Sequence, residues 1–240
     1  MRPWQLIFIG ALAAFCPQIA MAAERPVVVE LFTSQGCSSC PPANAYLNEL
    51  SKRPSDVLAL AFHVTYWDYL GWKDPFSLKL ATDRQERYGR RFGDGSYTPE
   101  IVVDCWTGFV GSDRGDVAQA IAKAKVGNST FADVRVATKD GKASIDVGAG
   151  QGAAHVVLVG FDREHVTSIG RGENRGSTMA EANIVRSFRP VAEWSGAPIH
   201  LDQQLPEGEQ VAVILEAPDG RIVGASRAIT AGSSHGVAGE

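Results

Sequence analysis

The chain has 240 residues with 23 Lys and Arg against 27 Asp and Glu, a formal net charge of -4. That balance argues against a dedicated nucleic-acid binder, which would carry a basic surplus, and the length suits one large or two small domains. Hydrophobic residues make up 45% of the chain, enough to build an ordinary packed core.

Met1 to Ala23 has Arg2 near its start, an apolar run from Leu6 to Phe15, and the small-residue pattern Ala20-Met21-Ala22. These are the parts of a secretory signal peptide, and the run is too short to span a membrane comfortably. Phe15 before Cys16 is a poor lipidation context, so lipidation is discounted. Removing residues 1–23 leaves 22 basic against 27 acidic side chains, a formal charge of -5, and the cysteines Cys37, Cys40 and Cys105. The remaining apolar runs are short, so no stable membrane insertion is expected after cleavage. The expected location is periplasmic or secreted, where disulfides persist.

Val27 to Phe32 is an apolar run, Gly36 sits in a turn, and Cys37 and Cys40 open a segment with Ala45, Leu47 and Leu50. This is the strand, Cys-x-x-Cys, helix order of a thioredoxin-like site. Unpaired N–H groups and the helix dipole at a helix start favour a thiolate at Cys37. Cys37 is therefore expected to attack, and Cys40 to resolve the mixed disulfide. Pro41 and Pro42 suit the first helical turn. Glu30, on the strand before the cysteines, is expected either to exchange the proton of Cys40 or to pair with a cation and hold the sheet.

Asp56 to Val64 reads as a second strand, parallel to the first through the helical crossover. His63 lies at its end, followed by an aromatic loop of Tyr66, Trp67, Tyr69 and Trp72. Asp74-Pro75 looks like an N-cap and first helical position. The helix they start would run to Arg91, with Arg84, Arg87, Arg90 and Arg91 on a solvated face, and end at Gly93 and Gly95. Thr98-Pro99 stands before the strand Ile101 to Asp104, where a cis proline facing the cysteines is expected. A turn at Cys105 to Thr107, a return strand near Phe109 and a helix over 113–125 complete this core. Cys105, roughly six residues beyond Pro99 at ~3.3 Å each, is expected about 20 Å from the site and without a role in it.

Val29 to Pro42, Phe62 to Phe76, Tyr97 to Asp104 and Gly170-Arg-Gly-Glu-Asn174 resemble the secreted thioredoxin-like family catalogued as domain of unknown function 1223. The resemblance covers nearly the whole chain after the leader. It implies a thioredoxin-like fold and a Cys-x-x-Cys site, without supplying a substrate. Cys105 departs from the glycine expected in its turn.

Past Gly127 the chain reads as short strands between glycine-rich turns: 131–137, 142–147, 155–161, 166–169, 184–194, 210–216 and 221–229. Asp140-Gly141 and Asp219-Gly220 are hairpin signals. The expected organisation is a signal peptide (1–23), an α/β thioredoxin-like core (24–127), a β-rich, sandwich-like C-terminal domain (128–230) and a frayed tail (231–240). Gly170 to Gly176 lacks dinucleotide-loop spacing and is read as a β-turn. Asn128-Ser129-Thr130 is a glycosylation sequon by pattern only.

The leading functional expectation is an exported thiol-disulfide oxidoreductase acting on a protein or low-molecular-weight thiol or disulfide. Its redox-active disulfide would need no further cofactor. Cys37 and Cys40 would exchange, Pro99 would shape the substrate surface, and Thr98, Tyr66 and Trp67 would contact the substrate. The alternatives are a copper-binding or copper-delivery protein using Cys37, Cys40 and His63, and a noncatalytic binding module. Zinc would need a second ligand pair that the sequence lacks. His155, His165 and His200 are read as structural.

Overall fold

In the computed structural model, which describes residues 25–126 and 132–230, every residue of strands β1 (Val27–Thr33) and β2 (Val57–His63) is buried. Strands covered on both faces are apolar throughout, as these two nearly are. They run parallel in register from Val27 opposite Val57 to Thr33 opposite His63. Helix α1 (Pro41–Ser51) makes the crossover. Strand β3 (Glu100–Val103) lies antiparallel on the other side of β1, and β4 (Thr107–Val110) closes a hairpin with it. The expected leader, the sequon and the tail lie outside the described residues.

Alternation along β1 sorts its side chains onto two cores. Val27, Val29 and Leu31 pack with Ala43, Leu47 and Leu50 of α1 and with Val117 and Ile121 of α3 (Arg114–Val126). Val28 and Phe32 face the opposite way, toward Ala81 and Tyr88 of α2 (Lys79–Phe92). Helix α2 begins later than Asp74-Pro75 suggested. Asp74 instead caps a separate turn, its Oδ1 accepting the Phe76 N–H at 2.9 Å and its carbonyl the Ser77 N–H at 3.2 Å. Leu78 remains extended, and the helix starts at Lys79 and ends at Gly93, whose φ of 80° suits glycine.

The C-terminal half builds β5 (Val134–Lys139), β6 (Lys142–Val147), β7 (Ala154–Ser168), β8 (Thr178–Trp194), β9 (Ile199–Gln204), β10 (Gln210–Glu216), β11 (Ile222–Arg227) and β12 (Ile229–Thr230). The runs expected at 155–161 and 166–169 are one strand. The polar residues between them stay extended because β8 pairs with them, Asp162 opposite Ile184 and Glu164 opposite Ala182.

Strands from both sides of residue 127 share one mixed sheet, ordered β11-β10-β7-β8-β2-β1-β3-β4. The join is a parallel contact of Ala61 with Ile184, reinforced by Asn183 Nδ2 donating to the Ala59 carbonyl at 2.8 Å. A second sheet, β12-β5-β6-β9, covers one face of the added strands, with Ile145 and Val147 packed among Leu158, Trp194, Val213 and Leu215. A sandwich is therefore present, but one of its layers is the sheet that also carries β1 and β2. The fold is an α/β architecture of a large mixed sheet with a smaller, mainly antiparallel one.

Arg84, expected on a solvated face, is 2% exposed and reaches through the α2 core to Glu30. Its Nε donates to Glu30 Oε1 at 2.7 Å and its Nη2 to Oε2 at 3.1 Å, while Nη1 donates to Glu216 at 2.9 Å. The Tyr88 hydroxyl also donates to Glu30. Cys105, in the left-handed region at φ 56°, places its free thiol against this cluster, 3.5 Å from Glu30 Oε2. Burial pushes that thiol well above its usual range, and the Glu30 charge adds to the effect. Arg84→Met, which strands the Glu30 charge in the core, is expected to cost about 3–5 kcal/mol of stability, read from the shift in urea-unfolding midpoint.

Candidate functional site

Cys37 and Cys40 form a disulfide across a Cα separation of 5.4 Å. Cys40 occupies the N-cap position of α1, followed by Pro41 and Pro42, and its carbonyl accepts the N–H groups of Ala43 and Asn44, both at 3.0 Å. Both half-cystines are 0% exposed, whereas Ser38 and Ser39 between them are exposed. Proline tolerates the first turn because its missing N–H would have no helical partner there. The bridge therefore sits where the dipole and free N–H groups of α1 are concentrated.

The Thr98-Pro99 peptide bond is cis, as expected, and Pro99 is buried. Thr98 Oγ1 lies 3.3 Å from Cys37 Sγ. Trp67 Nε1 donates to the same hydroxyl at 2.8 Å. An indole N–H can only donate, so Thr98 accepts from it and its own proton is left for the sulfur. Ser39 Oγ is also 3.3 Å from Cys37 Sγ. Thr98 thus meets Cys37 directly, and Trp67 reaches it only through Thr98. The Tyr66 hydroxyl donates to Gln85 Oε1 at 3.0 Å and also lies in hydrogen-bonding contact with the Thr98 side chain, and burial pushes its pKa up to about 12. Of the aromatic loop, Tyr69 is the exposed member, at 79%.

Glu30 is not with them. By the alternation of β1 its carboxylate lies on the α2 face with Val28 and Phe32, and the sheet separates it from α1. Its two oxygens are taken by Arg84 and Tyr88. The cation-pairing role is the one the geometry carries, and the proton-exchange role is not.

On the α1 face the strand ends carry a different polar cluster. Thr33 Oγ1 donates to Asn44 Oδ1 at 2.8 Å, and Asn44 Nδ2 donates to Glu181 Oε1 at 3.0 Å. Gln35 Nε2 donates to Glu181 Oε2 at 2.7 Å. His63 sits between two carboxylates, with Nδ1 2.7 Å from Asp74 Oδ2 and Nε2 3.7 Å from Glu181 Oε1. Burial alone would lower the imidazole pKa, but the charges of Asp74 and Glu181 outweigh it and raise it. Burial acts on Asp74 in the raising direction, yet His63 and the Gln35 and Phe76 N–H groups hold it below the usual carboxylate range. Burial raises Glu181. Both ring nitrogens of His63 therefore face carboxylates, and among the described residues no three His, Cys, Asp or Glu side chains are grouped so as to hold a metal ion. The sequence reading missed Gln35, Asn44, Asp74 and Glu181. Odd-numbered parity from Val29 to Thr33 places Thr33 on the α1 face, but nothing local links it to Glu181 on β8.

The segment read as a plain β-turn, Gly170 to Gly176, folds onto the cysteine loop. Asn174 Nδ2 donates to the carbonyls of Gln35 at 2.9 Å and Cys37 at 2.8 Å. Glu173 Oε2 accepts the Ser38 N–H at 3.1 Å. Trp72 Nε1 donates to Gln35 Oε1 at 3.1 Å, tying the aromatic loop to the same residue. Gly172 has φ 75°, and a Cβ there would lie 3.1 Å from Trp72 Cβ, so glycine is needed for both conformation and space.

Next to Pro99, Glu100 is buried and pushed up to about 7 by burial, against the opposing hydrogen bond from Gln85 Nε2 at 2.8 Å. The native protein thus holds a proton that the unfolded chain loses near the ordinary value of 4.5. This group's contribution is complete below that value and is lost as pH rises to about 7.

The chain belongs to the family described as protein of unknown function DUF1223, whose model matches residues 28–216. A crystal structure of a protein from Agrobacterium tumefaciens is 33% identical, covering 87% of this chain and 95% of that one with a TM-score of 0.74. HBP35 of Porphyromonas gingivalis shares the fold more distantly, at 14% identity over 90% of this chain and 80% of that one, with a TM-score of 0.54. No curated protein matches the chain. Among the described residues no helix is long and apolar enough to cross a membrane.

Two outcomes follow for the residues around Pro99. Glu100→Gln is expected to flatten the fall in stability between pH 4.5 and about 7, read from urea midpoints across that range beside the unsubstituted protein. Thr98→Val removes the hydroxyl donor from Cys37, and after reduction its iodoacetamide reaction at neutral pH should slow about threefold to tenfold, the factor for a lost hydrogen bond of about 1 kcal/mol.

Proposed function

We propose that this protein is an exported thiol-disulfide oxidoreductase with a thioredoxin-like core and a Cys37–Cys40 centre. The observation that carries the reading is the placement of the Cys37–Cys40 bridge at the start of α1, with the Thr98 hydroxyl directed at Cys37 Sγ. A thiolate formed there meets a hydroxyl donor and the positive end of a helix, both of which favour the ionised sulfur. The order β1, cysteine pair, α1, β2 and the proline strand β3 supports the thioredoxin-like description.

In the reducing direction the Cys37 thiolate attacks one sulfur of a substrate disulfide, and the other substrate sulfur leaves as a thiolate. The Cys40 thiolate then attacks Cys37 Sγ, releases the second substrate thiolate and restores the bridge. Two electrons pass from the dithiol to the substrate, and the reverse sequence oxidises a substrate dithiol. Protein and low-molecular-weight thiols are both candidate partners. Export rests on the leader pattern of residues 1–23.

A second reading is favoured by one specific observation, the complete burial of both sulfurs. It makes the bridge a structural element of a noncatalytic binding module. Equilibration of the mature protein in glutathione buffers with thiol trapping separates the two. A reversible couple above about -270 mV supports exchange, while a pair still oxidised below about -300 mV supports the structural bridge. Cys37→Ser is expected to abolish disulfide exchange, and Cys40→Ser to accumulate a mixed disulfide on Cys37, detectable by mass spectrometry. Undiminished exchange by Cys37→Ser would sink the enzyme reading.

A further inference from the structure

We propose that Glu173, held over the cysteine loop by the Gly170–Gly176 segment, is a positioning residue that disfavours the Cys37 thiolate and so makes the Cys37–Cys40 pair a stronger reductant. The inference deepens the exchange reading and rests on it for its biological meaning.

The segment's docking places Glu173. Asn174 anchors it through two hydrogen bonds to main-chain carbonyls, one of them that of Cys37 itself. Gly172 and Gly176 provide the positive φ values, 75° and 83°, that turn the segment back onto the cysteines. The Glu173 carboxylate then accepts the N–H of Ser38, the residue bonded directly to Cys37. Ser38's hydroxyl and N–H together hold the carboxylate below its usual range, so it is charged at neutral pH.

This opposes the thiolate, because a negative charge is held against the peptide that joins Cys37 to Ser38, beside the residue that must become negative. Thr98 and the start of α1 act in the other direction. Arg171 and Arg175 flank Glu173 in the segment, and among the described residues neither forms an ion pair with it. His63, Asp74 and Glu181 lie on the α1 face below the strand ends. Among the described residues none of the three forms a hydrogen bond or ion pair with Glu173, and Glu173→Gln keeps an oxygen that can accept the Ser38 N–H, so that variant isolates the charge. Destabilising the thiolate destabilises the reduced pair, which is the direction of a stronger reductant.

The test titrates Cys37 by thiolate ultraviolet absorbance in Cys40→Ser protein carrying Glu173, Glu173→Gln or Glu173→Lys. Below the titration midpoint, Gln is expected to raise the thiolate fraction about threefold, the order of effect of one solvent-screened charge next to the titrating residue. Lys should raise it further, and high salt should shrink both differences. In the protein with both cysteines, measured above the Cys37 midpoint, Glu173→Gln should move the glutathione equilibrium toward the reduced form by the same factor. An unchanged or smaller thiolate fraction in the Gln variant, with unchanged circular dichroism, overturns the inference. The absorbance titration requires no exchange activity, so the failure modes separate. A shifted titration in a protein that never equilibrates with glutathione would defeat the exchange reading and leave the effect of Glu173 on Cys37 standing.

Discussion

The burial of β1 on both faces is the constraint from which the rest of the molecule follows. A polar side chain on such a strand must find a complete set of partners within the protein, because water reaches neither side. Glu30 finds them in Arg84 and Tyr88 on the α2 face, and Thr33 finds Asn44 on the α1 face. The two solutions divide the polar chemistry of the molecule in two. The ionic cluster around Glu30 braces the sheet against α2, while the cluster around His63 and Glu181 underlies the helix that starts at the cysteines.

The C-terminal strands are part of this arrangement. Glu181 comes from β8, yet its carboxylate accepts from Gln35 and Asn44, residues on either side of the cysteine pair. Asn174 and Glu173, on the connection between β7 and β8, reach the same loop from the solvent side. Asn48 of α1 adds further ties, donating to the Ala180 carbonyl at 2.6 Å and accepting the Ala182 N–H at 2.9 Å. The cysteine loop is therefore clasped from below and above by one long hairpin. Joining β8 to β2 in a continuous sheet sets the position of that hairpin, which a loosely tethered second domain could not do.

The Cys37 environment is a balance of opposing influences. The start of α1 and the Thr98 hydroxyl favour negative charge on the sulfur, while burial and the Glu173 carboxylate oppose it. Trp67 decides how the Thr98 hydroxyl is used, since its N–H fills the acceptor side of that oxygen. Each of these groups comes from a different loop, so the electrostatics of the sulfur depend on how the loops dock.

What the sequence by itself determined was local in origin. An apolar run, a Cys-x-x-Cys followed by prolines, and Thr98-Pro99 before a strand identify a buried strand, a helix start and a cis proline, because each signal depends on a few adjacent residues. The same locality explains the misreadings. Arg84 looks solvated among neighbouring charges, Asp74-Pro75 looks like a helix start, and Gly170 to Gly176 looks like an isolated turn. Only the tertiary structure decided that Arg84 must neutralise Glu30 from 54 positions away and that β7 and β8 extend the first sheet. It alone placed Glu173, Asn174 and Glu181 around the cysteines. The reason is physical: burial and pairing are settled by which surfaces meet after the chain has folded, and strand periodicity specifies a side chain's face but not what will cover it.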